Sequence, residues 1–444
     1  MAVLLPGFEG TTLPDWLGAR LRDGLAGVCL FATNVESRSQ LRALCADIRA
    51  ANPRAVIAID EEGGDVTRLY QSVGSPYPGN AILGRIDDVG YTEEVARSVG
   101  RELAAVGVNL DLAPDVDINS NENNPVIGVR SFGSDPALVA RHAAAWVRGL
   151  QSTGVAASIK HYPGHGDTAQ DSHLALPVVD VPLSTLRDRE LVPFEAAIAA
   201  GARTVMTSHI VLPQLDSVPA TFSHSILGRL REDFDGVIVS DALDMVGASG
   251  EIGIPAAALK ALEAGCDLLC IGTANTDEQL AAIVAAIEHS SRLDEAIARV
   301  ASLGVPPVGE SQPEPSFDLA RTASVFDIRD VTVGPERRYY RFETVPNIAV
   351  GDAPWGPADA AVLREGEPYE IDAATQPVLI GRDNHRHPWV RSIADDVRVR
   401  HPSTIVVDLG WPSADRGYAD IATFGSSRHT SQALEAWFES RETQ

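Results

Sequence analysis

Residues 155–161 read VAASIKH, a short apolar run that ends in a lysine and a histidine. Similar runs recur before residue 300, and the strong ones are rich in aliphatic or β-branched residues. This composition is typical of parallel strands that are covered on both faces of their sheet. The predicted strands are 26–31, 55–60, 109–114, 155–161, 204–209, 237–242 and 268–272, with a weaker one, PATFS, at 219–223.

Amphipathic stretches separate these runs, as in EEVARSVGRELAAV (93–106) and DPALVARHAAAWVRGLQ (135–151). The alternation predicts an α/β fold, a (β/α)8 TIM-like barrel, with a doubly wound open sheet as the alternative. The strand ends favour the barrel, because a barrel directs all of them to one face whereas an open sheet has a single crevice. Polar residues close many different runs: Asp60, Asp115, Lys160, His161, His209 and Asp241.

A second, smaller unit is predicted after the barrel. The segment VPPVGESQPEPS is rich in proline, glutamate and serine, which is typical of a linker. Beyond it, predicted strands at 347–352, 377–382, 403–410 and 421–425 precede an amphipathic helix at 426–440. The predicted domains are a barrel at 1–304, a linker at 305–316 and a smaller α/β sandwich at 317–444.

The composition narrows the partners and the compartment. The formal net charge is −25, so nucleic acid and anionic membranes are disfavoured, because their phosphates would be repelled. The N-terminus lacks a signal-peptide pattern and no run reaches the length of a membrane span, so we expect a cytoplasmic protein. The four cysteines contain no CxxC pair and predict buried thiols: Cys29, Cys45, Cys266 and Cys270.

Asp241 closes the run VIVSDA and is followed by helix-compatible sequence. At the mouth of a barrel, a carboxylate in this place could attack an anomeric carbon and form a covalent glycosyl-enzyme. An aspartate between a strand and a helix also commonly caps the helix. The residue alone leaves both interpretations open.

The loop KHYPGHGDTAQDSH (160–173) combines three histidines, two aspartates and a lysine with glycines. A metal site is disfavoured, because the histidines are not at HExxH spacing and no cysteine assists them. Asp171 lies two residues before His173, so their side chains can meet in an extended or turning loop. The carboxylate would then fix the tautomer of the imidazole and raise its pKa, which suits a general acid/base. A loop held together only by its own hydrogen bonds is the alternative.

Further residues at strand ends have the chemistry to hold a sugar. Asp60 can accept hydrogen bonds from two adjacent hydroxyls, and the neighbouring Gly63 and Gly64 allow close backbone approach. Arg68 and Arg130 offer planar donor forks. Each such cation is more often a surface or salt-bridge residue, but their shared placement favours a binding site. The other two candidates are Lys160 and His161, at the end of the fourth strand.

In combination these motifs resemble glycoside hydrolase family 3, and within it the β-N-acetylglucosaminidases of the NagZ type. The similarity covers most of residues 1–300, and the element KH-x-PGHG-D-T-x-x-DSH is specific for this subgroup. Many other members of the family lack the loop histidine and use a glutamate. The matching segments are IDEEGGDVTR (59–68), NLDLAPDVDI (109–118), GVRSFG (128–133), KHYPGHGDTAQDSH (160–173), MTSHIVLPQLDSVPATFS (206–223) and VIVSDALDM (237–245).

The resemblance implies a role for each candidate. Asp241 is the nucleophile, His173 is the general acid/base and Asp171 is its partner in a dyad. The sugar is held by Asp60, Arg68, Arg130, Lys160 and His161. Neither a cofactor nor a metal is expected, and the expected partner is a small carbohydrate with a terminal N-acetylglucosamine.

Several functional alternatives remain at this point. A neutral histidine does not repel inorganic phosphate, so a β-N-acetylglucosaminide phosphorylase is as compatible with the dyad as a hydrolase. A β-glucosidase is the nearest rival within the family, and a non-catalytic sugar-binding protein is the rival from another class. The natural substrate is expected among muropeptides of cell-wall recycling, chitooligosaccharides and glycoconjugates.

Overall fold

The computed structural model describes residues 1–169, 176–250, 252–272, 275–303, 309–310, 313–345 and 347–442. Contacts divide the chain into two compact units. The first contains Met1–Glu62, Val89–Ile127 and Ser134–Pro313, and the second contains Gly63–Asp88, Gly128–Gly133 and Glu314–Gln444. Two short segments of the N-terminal half therefore group with the C-terminal half, while the predicted boundaries at 304 and 317 stay a prediction.

The first unit is a barrel of eight strands in sequence order. Strands β2 to β7 pair as parallel neighbours in one sheet, and β1 pairs in parallel with β8. The ring closes because Val239 on β7 bridges Leu268 beside β8, and because the Ala26 N–H donates to the Met1 carbonyl at 3.4 Å. The strands are β1 Leu4–Pro6, β2 Gly27–Leu30, β3 Val56–Ile59, β4 Leu110–Asp111, β5 Ala156–Tyr162, β6 Thr204–Thr207, β7 Val237–Val239 and β8 Leu269–Ile271.

The predicted (β/α)8 barrel is confirmed, but one of its expected strands is wrong. Seven of the predicted runs match β2 to β8, although β5 ends one residue beyond its run, at Tyr162, whereas PATFS at 219–223 forms a 3-10 turn, Ala220–Phe222. The eighth strand is instead β1, which holds only three residues and ends at a proline. Inward side chains from many strands, among them Leu5, Cys29 and Met206, pack into one buried core, which explains why so short a strand persists.

Helices cover the outside of the barrel where their apolar positions recur every three or four residues. In α5, Asp135 accepts a hydrogen bond from the Leu138 N–H at 2.7 Å and so caps the helix, and Trp146 is buried on the inner face. In chain order the helices of both units are α1 Asp15–Arg22, α2 Arg38–Ala51, α3 Asn80–Ile86, α4 Val89–Val106, α5 Pro136–Gln151, α6 Leu183–Thr185, α7 Leu191–Ala199, α8 His224–Asp233, α9 Val246–Ser249, α10 Ile254–Ala264, α11 Asp277–Ile287, α12 Leu293–Ala301, α13 Leu319–Ala323, α14 Pro388–Arg400 and α15 Arg428–Glu442, of which α3, α13, α14 and α15 belong to the second unit.

The second unit is built on a six-stranded sheet in the order β11-β10-β12-β13-β14-β9, in which β9 alone is antiparallel. Alternate residues of β12 face opposite layers: Val378 packs towards Phe438 of α15, and Leu379 towards Val390 of α14. Helices therefore cover both faces, as the predicted α/β sandwich requires. Its strands are β9 Asp327–Ile328, β10 Arg337–Phe342, β11 Ala361–Leu363, β12 Gln376–Gly381, β13 Ile405–Asp408 and β14 Ile421–Ala422.

The elements predicted for the second unit are confirmed in part. Strands β12 to β14 and helix α15 fall where the sequence predicts them. The expected strand at 347–352 is wrong, because residues 348–350 form a turn. The pattern RRYYRF was not recognised as a strand, because its arginines obscure the buried Tyr340 and Phe342 of β10. Among the helices of the described residues, none is long and apolar enough to cross a membrane.

The first prediction tests strand β1. Leu5 is completely buried, so Leu5→Ala should leave a cavity and lower the free energy of unfolding by roughly 2–5 kcal/mol. Val246 is 57% exposed, and Val246→Ala should change stability by less than about 0.5 kcal/mol. Urea unfolding followed by circular dichroism measures both variants. Equal stabilities for the two would contradict the placement of β1 in the core.

Candidate active site

The C-terminal ends of β3 and β5 are joined by a buried lysine. The Lys160 Nζ lies 2.7 Å from Asp60 Oδ1 and 2.7 Å from Glu62 Oε1. The Lys160 side chain is only 3% exposed, so its charge depends on these two carboxylates. Asp60 itself is half-buried at the mouth of the barrel. The structure thus brings together two of the predicted sugar-binding residues.

Asp111, the last residue of β4, lies beside this ion pair. Its Oδ1 accepts a hydrogen bond from the Glu61 N–H at 3.0 Å. Burial raises the pKa of Asp111 well above its usual range, and the charges of Glu61 and Asp60 act in the same direction while Lys160 opposes them. This end of the barrel therefore concentrates more carboxyl groups than Lys160 alone neutralises, which favours a protonated Asp111.

The imidazole of His161 contacts a buried carboxylate. Its Nδ1 lies 2.7 Å from Asp117 Oδ2 and 4.0 Å from Asp115 Oδ2. The three groups lie within 4.8 Å of one another, as metal ligands would. The shorter distance is that of a direct hydrogen bond, which a protonated Nδ1 donates to the carboxylate. We therefore interpret Asp117 as the group that orients the imidazole of His161, and the absence of a metal stays a prediction.

The same Asp117 anchors the turn after β5. Its Oδ1 accepts a hydrogen bond from the His165 N–H at 2.7 Å. From another direction Asn124 Nδ2 donates to the carbonyls of His165 and Gly166, at 2.8 Å and 3.0 Å. A Cβ on Gly166 would lie 1.6 Å from the Ile118 carbonyl oxygen, so only glycine fits there. Residues 163–168 are consequently held in one conformation.

His165, for which the sequence suggested no role, is buried inside this turn. Its Nδ1 lies 2.9 Å from Thr168 Oγ1, and its ring stands edge-on to that of His161 at 5.7 Å. Burial and the neighbouring His161 lower the pKa of His165 to about 4. The imidazole is therefore neutral at pH 7 and supports the loop as a packing element.

Asp241 lies just beyond β7 and is half-buried. Its Oδ1 accepts a hydrogen bond from the adjacent Ala242 N–H at 2.8 Å. The next helix, α9, has Met245 at its N-cap position, so the capping interpretation of Asp241 does not hold. His209 supports this segment, because its Nε2 lies 3.1 Å from the Ala242 carbonyl and its Nδ1 lies 2.9 Å from Thr221 Oγ1.

The negative charges of Asp241 and Asp60 both affect the pKa of one buried thiol, that of Cys270. A hydrogen bond with Cys29 and burial raise the pKa of Cys270 well above its usual range, and the charges of Asp241 and Asp60 raise it further. Asp60 follows β3 and Asp241 follows β7, and these strands are parallel members of one sheet, so the sugar-binding candidate and the nucleophile candidate lie at the same end of the barrel. All four cysteines are free and buried, as predicted.

The remaining candidates are two arginines of the second unit and two residues outside the described part of the chain. Arg68 and Arg130 belong to the second unit, where both are nearly buried. There the Arg68 Nη2 donates to the Ala349 carbonyl at 3.0 Å, and the Arg130 carbonyl accepts from Asn80 Nδ2 at 2.7 Å. Asp171 and His173 lie outside the described residues. Their roles, and those of the two arginines, stay predictions.

Several residues of the site were missed from the sequence. Asp111 stood inside the apolar run NLDLAP, where a carboxylate among aliphatic residues was the available signal. Asn124 offered none, because its importance comes from the distant backbone carbonyls that it binds. Asp117 had a signal too, as the third acid of NLDLAPDVDI.

Comparisons with known proteins identify the family of the chain. The model of the glycosyl hydrolase family 3 N terminal domain matches residues 19–303. Beta-hexosaminidase A of Pseudoalteromonas piscicida is 34% identical over 332 residues, 66% of this chain and 55% of that protein. Beta-hexosaminidase of Xylella fastidiosa strain M12 is 39% identical over 282 residues, 61% of this chain and 83% of that protein.

A likeness to solved structures extends beyond the barrel. A glycoside hydrolase family 3 beta-N-acetylglucosaminidase from Paenibacillus sp. str. FPU-7 aligns with a TM-score of 0.85 and 28% identity, over 99% of this chain and 95% of that chain. The family model covers more than half of the sequence, so the chain belongs to glycosyl hydrolase family 3, in the branch of the β-hexosaminidases. It nevertheless spans only 55% of the length of its Pseudoalteromonas relative.

The second prediction concerns His165. Native His165 stays neutral down to a pKa of about 4, whereas the unfolded histidine takes up a proton near 6.5. The unfolded state therefore binds more protons between these values, so stability falls as the pH drops, by up to about 3 kcal/mol for such a shift. His165→Asn keeps a hydrogen-bonding group near Nδ1 and should remove this part of the loss.

Urea unfolding at pH 7 and at pH 4 measures the effect. His289 is 91% exposed in its side chain, so His289→Asn is the matched control and should follow the wild type. If His165→Asn lost as much stability on acidification as the wild type, the neutral buried state of His165 would be wrong.

Proposed function

We propose that this chain is a retaining exo-β-N-acetylglucosaminidase that removes terminal β-linked N-acetylglucosamine from muropeptides, chitooligosaccharides or glycoconjugates. The observation that carries the proposal is Asp241. It is a half-buried carboxylate beyond the C-terminal end of β7 that caps no helix, in a chain of a glycoside hydrolase family. Active sites of such barrels are built at this face.

In the first step Asp241 attacks the anomeric carbon while the bond to the leaving oxygen breaks. The Ala242 N–H holds Oδ1, so the carboxylate is oriented before the substrate arrives. Charge develops on the leaving oxygen as its bond breaks, and a proton from the general acid neutralises it. The product of this step is a covalent glycosyl-enzyme on Asp241.

The proton donor in the proposal is His173, with Asp171 as its dyad partner. Once the leaving group has departed, neutral His173 accepts a proton from water, and the resulting hydroxide attacks the anomeric carbon and releases Asp241. Two inversions give net retention. The specific sequence KHYPGHGDTAQDSH supports these roles, and the part of it at residues 163–168 is held in one conformation.

The residues proposed to hold the sugar are already oriented by neighbouring groups. Asp60 is a carboxylate paired with Lys160, and both can hydrogen-bond adjacent hydroxyls. His161 presents an imidazole oriented by Asp117. Arg68 and Arg130 complete the proposed set on the strength of the family resemblance. The named activity of the Paenibacillus enzyme supports N-acetylglucosamine as the terminal sugar.

The third prediction tests the nucleophile. Asp241→Ala should lower kcat on p-nitrophenyl β-N-acetylglucosaminide by at least about 10⁴-fold, because loss of a nucleophile removes the covalent route. Asp235 is exposed on the adjoining segment, and Asp235→Ala should retain wild-type activity. Full activity in Asp241→Ala would refute the assignment, and stable sugar binding by a wild type without turnover would favour a binding protein.

The fourth prediction separates the acid/base from the nucleophile. His173→Ala should slow cleavage greatly for substrates with poor leaving groups and much less for those with good ones, because the latter need little protonation. Steady-state kinetics on a series of aryl β-N-acetylglucosaminides measures the trend. A uniform loss across the series would contradict the role of His173.

The acceptor is decided by product analysis on chitobiose and on a muropeptide, each with and without inorganic phosphate. Hydrolysis predicts free N-acetylglucosamine at a rate that is independent of phosphate. A sugar 1-phosphate that appears only with phosphate would identify the phosphorylase instead. An aryl β-glucoside measured in parallel tests the β-glucosidase alternative.

A further inference from the structure

A short π-helical turn, Leu186–Glu190, lies next to the PGHG turn of the barrel mouth. Such widened turns inside helices are often found at functional sites. The last residue of this turn, Glu190, is buried, with 2% of its surface exposed, although it is a glutamate. A buried acid needs a physical reason, because removing its charge from water is costly.

Arg189 joins this acid to the loop. Its Nε lies 2.5 Å from Glu190 Oε1, and its Nη2 lies 2.6 Å from Asp167 Oδ2. One guanidinium therefore bridges a buried carboxylate and a carboxylate of the segment that continues into residues 170–173. Two charge-assisted hydrogen bonds from a planar donor define direction as well as distance.

Glu190 also packs against the backbone of the turn. Gly164 has a φ of +127°, and a Cβ there would lie 2.8 Å from Glu190 Cβ and 3.0 Å from Glu190 Oε2. Any other residue at position 164 would collide with the glutamate. Within the described part of the chain, Oε2 is buried and makes no hydrogen bond. One oxygen of the Glu190 carboxyl group therefore packs against the turn, and the other forms an ion pair with Arg189.

The charges around Glu190 explain why it needs Arg189. Burial raises the pKa of Glu190 to about 7; Arg189 opposes the shift, whereas Asp117 and Asp167 add to it. Asp117 anchors the opposite side of the same turn through the His165 N–H. The turn therefore lies between two acids, and Arg189 supplies a compensating cation on the Glu190 side.

We propose that Arg189 and Glu190 are positioning residues for the general acid/base: their ion bridge to Asp167 and their contact with Gly164 hold the turn that precedes the DSH element in the sequence. This inference rests on the proposed function, because it assigns the clamp to the proton-transfer step. Neither residue needs to contact the substrate, and neither carries a proton in the reaction.

The test uses a ratio that does not depend on the amount of folded enzyme. For each variant, kcat/KM is measured on a poor-leaving-group substrate, chitobiose, and on a good one, p-nitrophenyl β-N-acetylglucosaminide. Arg189→Gln and Glu190→Gln should each lower the chitobiose-to-nitrophenyl ratio by at least tenfold, because misplacement of the acid matters only where protonation is needed. Asp188 is exposed on the same turn, and Asp188→Asn should keep the wild-type ratio.

A double variant tests whether the two residues act as one unit. Arg189→Gln with Glu190→Gln should lower the ratio no further than Arg189→Gln alone, because both changes break the same bridge. Arg189→Lys keeps a cation but loses the planar fork, and it should recover only part of the ratio.

The outcomes separate the clamp from the function on which it rests. A wild type that cleaves neither substrate would defeat the proposed function. An active wild type whose ratio is unchanged in Arg189→Gln and Glu190→Gln, even with a lower overall rate, would overturn the clamp, because that pattern indicates only a structural contribution. Losses that multiply in the double variant would overturn the claim that the bridge is one unit.

Discussion

The buried ammonium of Lys160 is the interaction on which the mouth of the barrel depends. It is nearly removed from water, and two carboxylates, Asp60 and Glu62, compensate its charge. Loss of one partner from such a pair typically costs about 3–5 kcal/mol, because the remaining charge is stranded. The pair ties the end of β3 to that of β5 across β4, where the acid Asp111 lies. Several carboxyl groups can lie this close together only while the charge of Lys160 compensates them. The geometry of the proposed sugar site therefore depends on its charge balance.

A second set of buried polar groups fixes the conformation of the loop that follows β5. Asp117 serves as its centre, since it orients the ring of His161 and accepts the backbone N–H of His165. Asn124 binds the loop carbonyls from one side, and on the other the guanidinium of Arg189 bridges Asp167 and Glu190. Buried hydrogen bonds and ion pairs of this kind rigidify their surroundings, although Glu190 Oε2 makes no hydrogen bond within the described residues. These residues are arranged to hold other groups still, which is what the proposed proton transfer needs.

Much of the fold was predictable because buried parallel strands have a strong composition. Strands β2 to β8 match the predicted runs to within one residue, and the polar residues at their ends supported a barrel over an open sheet. The errors have physical causes. PATFS was a weak run that forms a 3-10 turn, while β1 has three residues and is stabilised by its neighbours in the ring rather than by its own propensity. RRYYRF becomes a strand because Tyr340 and Phe342 are buried in the core of the second unit, although three arginines accompany them in sequence.

The sequence by itself determined the family, the two-part α/β architecture and the chemical inventory: Asp241 after one strand, Lys160 and His161 after another, and the motif that contains Asp171 and His173. These follow from local composition and spacing, which a chain carries whether folded or not. Only the tertiary structure decided which groups meet. It pairs Lys160 with two acids, excludes Asp241 from helix capping and makes His165 a neutral packing element. It also assigns Arg68 and Arg130 to the second compact unit. Partners so far apart in sequence are selected by the closure of the barrel, and no local pattern encodes them.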